Sequence, residues 1–465
     1  MLKSILSFSL LLTSLVIVSA QTDTSPNRKD RRAFINEGTT TSPDPRRVPI
    51  APIAYGPADS FALVGGRVFS GTGESAKPAD VLVYRNIIVA VAKPGSLVIP
   101  AKVNVLNIKG KTLMPGLIDL HTHLTYTEED TSPANAVNEA DATLRAVERL
   151  RFYIESGITS VRDVGSINKI TFRLKDWVAQ RRLMGPRVFP AGKLITGKGG
   201  HGAESLEDTS PLYGSVVEAS GPDEWRNAVR QSFKDGADLI KVASHFSKDE
   251  IKAAVEEAHA LGLKITCDCE TFYIEWAVDA GIDMIEHPLP RTDETIKKMA
   301  DKGVASIPTL IPYTYIFDLW GGYWGSTSRR FSFSKEDNLI MLKRLRSANV
   351  KLGIGTDLIL NWFRYLPYSY ITELKSFVKA GFSSEEALVA ATKTSAEILD
   401  MDHLLGTIEV GKLADILIID GQPDVNLDDL AKVYMVIRDG EIVVQGGKTQ
   451  VLGHIPTPEP KSGNK

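Results

Sequence analysis

The stretch that decides the fold is residues 113–123, LMPGLIDLHTH. Apolar residues lead through it to two histidines, His121 and His123, separated by a single residue. Because alternate side chains of a β-strand lie on the same face, these two imidazoles point the same way if the stretch is a strand. Imidazole is a common metal ligand, so the pair predicts half of a metal site. The alternative is two core histidines satisfied by hydrogen bonds.

The composition is that of an ordinary globular enzyme or binding protein. The chain has 465 residues, which is room for a large domain and a smaller one. Hydrophobic residues make up 43% and charged residues 24%, and the formal net charge is −3. Nothing in this charge balance suggests a nucleic-acid partner.

The N-terminus reads as an export signal. Lys3 precedes an apolar run over residues 5–18, and Val18-Ser19-Ala20 provides a small-residue cleavage site. We therefore predict a signal peptide over residues 1–20 and a secreted protein, extracellular or periplasmic. A membrane anchor is the alternative, but the apolar run is short for a span, so no anchor is expected after cleavage.

Both ends of the expected mature chain lack apolar periodicity. Residues 21–57 are rich in Ser, Thr, Pro and Arg and predict a flexible leader, and residues 451–465 form a tail. Cys267 and Cys269 are the cysteines of the chain, in ITCDCE, so no disulfide framework is expected. A CxC metal or redox site is one interpretation of this pair. Two buried free thiols are the favoured interpretation.

Strand patterns flank the central part of the chain. Residues 58–113 contain predicted strands at 61–68, 80–91 and 104–113. Residues 405–450 contain further strands at 414–419, 434–437 and 441–444, and Asp439-Gly440 is a strong hairpin signal. The two regions predict one small β-sandwich domain built from both chain ends.

Residues 114–404 alternate between strand and helix. The strand leading to His121 is followed by predicted strands at 159–164, 188–191, 237–242, 264–269, 284–287, 304–308 and 351–357. A capping box, Ser247–Glu250, opens one of the helices between them. Eight strands alternating with helices predict an α/β fold, a closed (β/α)8 TIM barrel. A doubly wound open sheet is the rival, but no GxGxxG follows the first strand.

Polar residues end several of these strands, where barrel enzymes place their chemistry. Lys241, Asp268, His287 and Asp357 lie at the ends of predicted strands 4, 5, 6 and 8. Lys241 lies between apolar neighbours in LIKV, where a buried ammonium is costly. A solvated lysine is one interpretation. Another is an N6-carboxylated lysine, whose carbamate oxygens can bridge two metal ions.

The motifs HTH, IKV, IEHP, GIGTD and GTIEVGKLADILIID together resemble the amidohydrolase superfamily. More narrowly, they resemble its imidazolonepropionase-like, metal-dependent prolidase and ochratoxinase branch, over residues 60–447. The resemblance implies a barrel with a composite β-sandwich and one or two divalent metal ions, usually zinc. By position it implies that His121, His123 and Asp357 hold one ion. Carboxylated Lys241 would bridge, and His287 would hold the second ion.

One position departs from the family pattern. Family members generally have a histidine at the end of strand 5, and this chain has Asp268. A carboxylate also binds zinc, but its negative charge should blunt the Lewis acidity of the ion. Three alternatives follow: an altered binuclear site with Asp268 as a ligand, a mononuclear enzyme, or a binding protein on an amidohydrolase frame that has lost catalysis.

The resulting functional hypothesis is a metal-dependent hydrolase of carbon–nitrogen bonds, small peptide bonds among them. A metal ion makes hydroxide available near neutral pH, and Asp357 would pass its proton to the leaving nitrogen. His201, in the glycine-rich GKGGHG, is predicted to contact the substrate or its oxyanion, with a turn histidine as the alternative. His245 is a weaker candidate. A mononuclear deaminase that uses Glu270 is a further alternative.

Substrate residues are predicted in the loops after strands 7 and 8, which are crowded with aromatic rings. Tyr313 is one of these rings, and Arg329, Arg330 and Arg364 among them suit a carboxylate. Together they favour a dipeptide or an N-acyl amino acid with an apolar group. The alternative is that the rings pack on one another. His259, His403 and His454 are predicted on a helix surface, in a loop and in the tail. The oligomeric state is left open, with a homo-oligomer among the alternatives.

Overall fold

A computed structural model describes residues 60–128, 138–204, 214–320 and 334–450 of the chain. The predicted signal peptide and leader, the tail with His454, and Arg329 and Arg330 lie outside the described residues. Within the described ranges, no helix is long and apolar enough to cross a membrane.

The strands follow one another along the whole described chain. In chain order they are β1 (Ser60–Val68), β2 (Lys77–Tyr84), β3 (Ile87–Ala92), β4 (Asn104–Asn107), β5 (Thr112–Pro115), β6 (Leu117–Thr122), β7 (Ile158–Asp163), β8 (Arg187–Pro190), β9 (Leu194–Gly197), β10 (Val216–Ala219), β11 (Leu239–Ala243), β12 (Lys264–Asp268), β13 (Met284–Glu286), β14 (Ala305–Ile307), β15 (Ile416–Ile419), β16 (Val433–Arg438), β17 (Glu441–Gln445) and β18 (Lys448–Thr449).

Helices occupy the connections between the central strands. They are α1 (Glu139–Glu155), α2 (Ile170–Ala179), α3 (Pro222–Asp235), α4 (Lys248–Ala260), α5 (Thr271–Ala280), α6 (Asp293–Lys302), α7 (Leu310–Trp320), α8 (Lys335–Ser347), α9 (Tyr368–Lys379), α10 (Ser384–Val389) and α11 (Ser395–Ile398). A π-helical turn, Ala390–Thr394, joins α10 to α11, and Leu360–Tyr365 and Leu427–Ala431 are 3-10 helices.

The central strands form two parallel sheets, as the alternation of strand and helix predicts. One has the order β6-β7-β8, and the other has the order β10-β9-β11-β12-β13-β14. Every residue of β6, β7 and β11 is buried, as expected for parallel strands covered by helices on one side and core on the other. The mixed α/β class with parallel sheets is therefore confirmed.

The strand predicted over residues 351–357 is wrong as a continuous strand. The structure has isolated parallel bridges there, from Leu352 to Ser306 and from Leu358 to Thr122. The segment still links β14 to β6, since the Ser306 amide donates to the Lys351 carbonyl and the Leu120 amide to the Ile354 carbonyl. Two glycines lie in this segment where a side chain would clash with its neighbours. A Cβ at residue 353 would lie 2.3 Å from Leu120 Cδ1, and one at residue 355 would lie 2.5 Å from Ile307 Cγ2.

The strands from both chain ends form one nine-stranded sheet. β15 pairs antiparallel with β5, which unites the two flanking regions as the sequence predicts. The predicted hairpin is confirmed, since Asp439 (φ 54°) and Gly440 (φ 74°) connect β16 to β17. The predicted strand over 80–91 is instead two strands, because Arg85 takes a φ of 54° and turns β2 into β3.

A cluster of buried charges ties this sheet to β8. It consists of Arg187, Arg438, Asp415 and Asp439, and we call it the Arg187 cluster. Arg187 donates to both carboxylate oxygens of Asp415, at 3.1 and 3.0 Å, and lies 3.3 Å from Asp439. Such a bidentate pair fixes orientation as well as distance.

Two local predictions have opposite outcomes. The capping box is confirmed, with Ser247 and Glu250 satisfying each other's amides at the start of α4. The surface placement of His259 is wrong. Its side chain is buried, with Nε2 2.9 Å from Asp283 Oδ2, because α4 packs this position against the start of β13.

The expectation of two buried free thiols is also wrong. Cys267 and Cys269 form a disulfide, with their Cα atoms 5.4 Å apart. Both side chains are buried, as expected. The pairing follows from alternation along the strand, which puts both thiols on one face within ordinary disulfide range.

Candidate metal centre

The candidate site is built from residues that lie in or directly after strands of both parallel sheets. His121 is the penultimate residue of β6, and His123 is the first residue after the strand. Lys241 lies in β11, Asp268 ends β12, and His287 follows β13. Because parallel strands present their carboxyl ends to one edge, these side chains meet although they are far apart in the chain.

Three metal-binding atoms converge at the centre. His121 Nε2 and His123 Nε2 are 3.2 Å apart, and Asp357 Oδ1 lies 3.3 and 3.2 Å from them. Each of the three residues offers a ligand atom within 4.8 Å of the others. Both imidazoles are buried, while the Asp357 side chain is 14% exposed and so open towards solvent. The predicted first ligand set is therefore brought together.

Hydrogen bonds on the far side of each ring identify both Nε2 atoms as acceptors. His123 Nδ1 lies 3.1 Å from the Gly165 carbonyl, which can only accept, so Nδ1 carries the proton. His121 Nδ1 lies 2.8 Å from a carboxylate oxygen of Glu286 and donates in the same way. Burial lowers the pKa of both histidines, His121 well below its usual value, so both rings are neutral near pH 7.

The donor set fits a divalent cation. Two neutral imidazole lone pairs and a carboxylate oxygen within about 3.3 Å of one another repel unless a positive charge lies between them. Two nitrogens and one carboxylate oxygen are a common catalytic zinc set, which leaves a position for water.

A second group of side chains surrounds Asp268. Its Oδ2 lies 3.0 Å from His287 Nε2, 3.4 Å from His201 Nε2 and 3.5 Å from Lys241 Nζ. Lys241 is buried, as its apolar neighbours predict, and its Nζ is 3.4 Å from His121 Nε2. The lysine thus lies between the two groups. All the predicted metal ligands and His201 are brought to one place.

Backbone strain marks the same place. Asp357, His287 and Thr309 adopt left-handed φ values of 47°, 63° and 43°. Such conformations are costly for residues other than glycine and concentrate at functional sites. Thr309 also holds the imidazole of His287, with Oγ1 2.7 Å from Nδ1. The sequence pattern does not predict these left-handed conformations.

Two supporting carboxylates were missed by the sequence analysis. Asp119 accepts hydrogen bonds from the amides of His121 and Thr356, both at 3.0 Å, and burial raises its pKa to about 6. Glu286 accepts from His121, as described above. A signal for each was present: Asp119 alternates with His121 along β6, and Glu286 is an acid inside an otherwise apolar strand.

The predicted substrate residues are only partly described. Tyr313 is buried with its ring centre 6.0 Å from that of His287, so it borders the site. Arg364 is 64% exposed and lies 3.9 Å from Glu128. Trp362, Phe363 and Tyr370 are buried in the core, so these three rings follow the packing alternative.

A second aromatic group on α5 was missed. It consists of Phe272, Tyr273 and Trp276, with ring centres 4.4–5.4 Å apart, and Phe272 is half exposed. The His245 ring lies 5.5 Å from Tyr273, so the structure places it against this group. Glu270, the predicted deaminase acid, is buried and accepts a hydrogen bond of 2.7 Å from Ser244.

Several known proteins are similar to this chain in sequence and in fold. An imidazolonepropionase of Geobacillus kaustophilus is 26% identical over 386 residues, which is 76% of this chain and 84% of the relative. An ochratoxinase of Aspergillus niger is 24% identical over 446 residues, 87% of this chain and 89% of the relative. A solved prolidase complexed with N-methylphosphonate-L-proline superimposes with a TM-score of 0.74 at 27% identity, covering 84% of this chain and all of the prolidase.

A family model also matches most of the chain. The model of the amidohydrolase family covers residues 112–443, which include every candidate metal ligand described above. The match agrees with the resemblance that the motifs indicate. The chain therefore belongs to the amidohydrolase family.

Proposed function

We propose that the chain is a secreted, metal-dependent hydrolase that cleaves carbon–nitrogen bonds in small amides, such as dipeptides or N-acyl amino acids. The observation that carries the proposal is the convergence of His121 Nε2, His123 Nε2 and Asp357 Oδ1. Secretion rests on the N-terminal sequence alone, where a basic residue, an apolar run and a small-residue cleavage site follow one another.

A divalent ion bound by these three residues would lower the pKa of a water to about 7 and polarise the substrate carbonyl. The chain's own residues then move the proton and hold the substrate. Asp357 accepts the proton of the attacking water and passes it to the leaving nitrogen, as its partial exposure at the open side of the centre allows. Asp119 holds the backbone on both sides of the centre through its bonds to His121 and Thr356.

His201 is assigned to the substrate carbonyl oxygen. Its Nε2 lies 3.4 Å from Asp268 and its side chain is 21% exposed, so it borders both the buried centre and solvent. An imidazole N–H placed there stabilises the negative charge that develops on the oxygen as the tetrahedral centre forms.

Three finer features belong to the same proposal. A closed (β/α)8 barrel is supported by residues 351–358, which bond to both β14 and β6, and the flanking sheet supports a composite β-sandwich. Zinc is the proposed ion because the donors are two imidazoles and a carboxylate. Carboxylated Lys241 as the bridge to a second ion at His287 is supported by the 3.4 Å between Lys241 Nζ and His121 Nε2.

The substrate class rests on the relatives and on the rings at the site. The relatives are named as an imidazolonepropionase, an ochratoxinase and a prolidase. Tyr313, whose ring centre lies 6.0 Å from that of His287, offers apolar surface beside the centre.

The test is a hydrolysis panel on the metal-loaded protein. We expect amine release from dipeptides and N-acyl amino acids that requires zinc and is lost on chelation. Protein that holds no metal, and gains no activity on adding zinc and bicarbonate, would contradict the proposal. Ammonia release from aminated rings, with no amide cleavage, would point to the deaminase alternative.

A substitution of Asp268 distinguishes a working active site from one that has lost catalysis. If Asp268 is a working ligand, Asp268→His lowers hydrolysis, because Asp268 contacts Lys241, His287 and His201 together. A large gain of hydrolysis in that variant would favour a binding protein whose catalytic site has decayed.

A further inference from the structure

Glu286 connects the metal centre to a buried cation. One of its carboxylate oxygens lies 2.8 Å from His121 Nδ1. The other lies 2.5 Å from Arg162 Nη2 and also accepts from the Thr266 hydroxyl. Arg162, Glu286 and His121 are all fully buried, so each contact is made away from water.

Arg162 holds a second element of the same centre. Its Nε donates to the carbonyl of Leu120, the residue before His121. One side chain from β7 therefore holds both the backbone next to His121 and the carboxylate behind its ring. The guanidinium also supplies the positive charge that a fully buried carboxylate requires.

The geometry has a direct consequence for the imidazole. A carboxylate behind Nδ1 fixes the proton there and leaves the Nε2 lone pair facing His123 and Asp357. The same contact raises the basicity of the ring as a ligand, because negative charge behind a donor ring strengthens the opposite lone pair. Behind His123 the partner of Nδ1 is instead the neutral carbonyl of Gly165.

We propose that Arg162 and Glu286 form a positioning pair that sets the tautomer and ligand strength of His121, and so the affinity of the centre for its divalent ion. The inference rests on the proposed metal site. It concerns residues that touch neither the substrate nor the ion, so their effect reaches the reaction through His121.

The first experiment measures the dissociation constant for zinc by chelator competition in wild type and Glu286→Gln. Gln keeps the size of the side chain but removes the charge and replaces one acceptor oxygen by an NH2 group, which faces either Arg162 or His121 Nδ1. We expect zinc binding to weaken by about 10- to 100-fold, the range typical of outer-shell partners of metal ligands. The absorption bands of the cobalt-loaded protein should shift as well, because the ligand strength of His121 changes.

Asp283→Asn is the matched control. Asp283 also pairs with a buried histidine, His259, at 2.9 Å, but that pair lies outside the metal centre. We expect Asp283→Asn to affect stability while leaving the zinc dissociation constant within about twofold of wild type.

The second experiment measures the coupling between Arg162 and Glu286. If they act as one unit, Arg162→Met weakens zinc binding, and the double variant with Glu286→Gln loses less than the sum of the two single losses. Thr266→Val removes one donor to Glu286 and no charge, so it should fold where the charge variants do not and give a smaller loss in the same direction.

The outcomes separate this inference from the proposed function. Wild-type protein without zinc affinity contradicts the metal site itself. Wild-type protein that binds zinc, with unchanged affinity in Glu286→Gln and Thr266→Val, contradicts the positioning pair alone. Equal losses in Glu286→Gln and Asp283→Asn would also contradict it, since the effect would then be a general one of buried charge.

Discussion

The metal centre and the Arg187 cluster are both buried, but their charges are arranged in opposite ways. In the Arg187 cluster two arginines face two aspartates, and Arg187 contacts both carboxylates at 3.0–3.3 Å. In the metal centre, two neutral imidazole lone pairs and the Asp357 carboxylate face one another at 3.2–3.3 Å. In the first arrangement cations and anions face one another, whereas in the second three acceptor atoms face one another beside Lys241 Nζ, which lies 3.4 Å from His121 Nε2.

The difference shows that buried polarity does not by itself identify a functional site. Opposite charges that satisfy one another fix orientation, here that of the nine-stranded sheet on β8. Acceptors that converge, as the three of the metal centre do, are instead the arrangement that a metal ion completes. The comparison therefore assigns a structural role to the Arg187 cluster and a chemical role to the metal centre. Each assignment can be tested with a variant.

The largest expected effect comes from His123→Ala. Removing a direct ligand should weaken zinc binding by more than the roughly 100-fold upper range of outer-shell changes, and amide hydrolysis should fall to background. Chelator competition and the hydrolysis panel measure the two effects. His259→Ala is the control, because it truncates another buried histidine outside the centre. Similar zinc affinity in wild type and His123→Ala would contradict the assignment of His123 as a metal ligand.

Arg187→Met tests the other cluster. It leaves Asp415 and Asp439 buried without their main partner, which typically costs about 3–5 kcal/mol of unfolding free energy. Urea denaturation measures the loss, and the zinc dissociation constant should stay near that of wild type. A large loss of zinc affinity with little loss of stability would reverse the assignment of the cluster to structure.

The smallest expected effect is the contribution of Asp439 to the stability of the protein at acidic pH. Burial alone would raise the pKa of Asp439, but the charges of Arg187 and Arg438 outweigh it and lower the pKa to about 2. A depressed folded-state pKa stabilises the protein above the unfolded value near 4, and this contribution is lost as the pH falls towards 2. It amounts to about 2 kcal/mol. Asp439→Asn should remove this part of the acid dependence of the unfolding free energy.

A matching acid dependence in Asp439→Asn and wild type would show that other carboxylates carry the effect. The comparison is made on the difference between the two proteins, because the remaining acids titrate in both over the same range of pH.

Much of the fold and site follows from local pattern. The alternation of short apolar runs with amphipathic stretches predicts the parallel sheets, and the Asp439-Gly440 hairpin and the capping box at Ser247 are read from their own residues. The predicted position of His121, Lys241, Asp268 and His287 at the ends of strands is enough to predict that they meet. Strand alternation and strand ends are short-range features, so a single sequence reveals them.

Two of the errors occurred where distant packing overrides local preference. Residues 353 and 355 lie so close to Leu120 and Ile307 that a side chain there would clash, and the last predicted strand pairs through isolated bridges. His259 has the local context of a surface residue and is buried by β13. Both results depend on which segments become neighbours, and that information is absent from a window of a dozen residues.

The sequence by itself determined which side chains reach the carboxyl ends of the central strands, because the period of a strand and the order of strands and helices are written in local residues. The tertiary structure decided how those side chains are held: Glu286 and the Gly165 carbonyl fix both imidazole tautomers, and Arg162 balances Glu286. These contacts join residues more than 40 positions apart, with energies that depend on burial. Burial is a property of the folded chain, so the chemistry of the centre is decided only there.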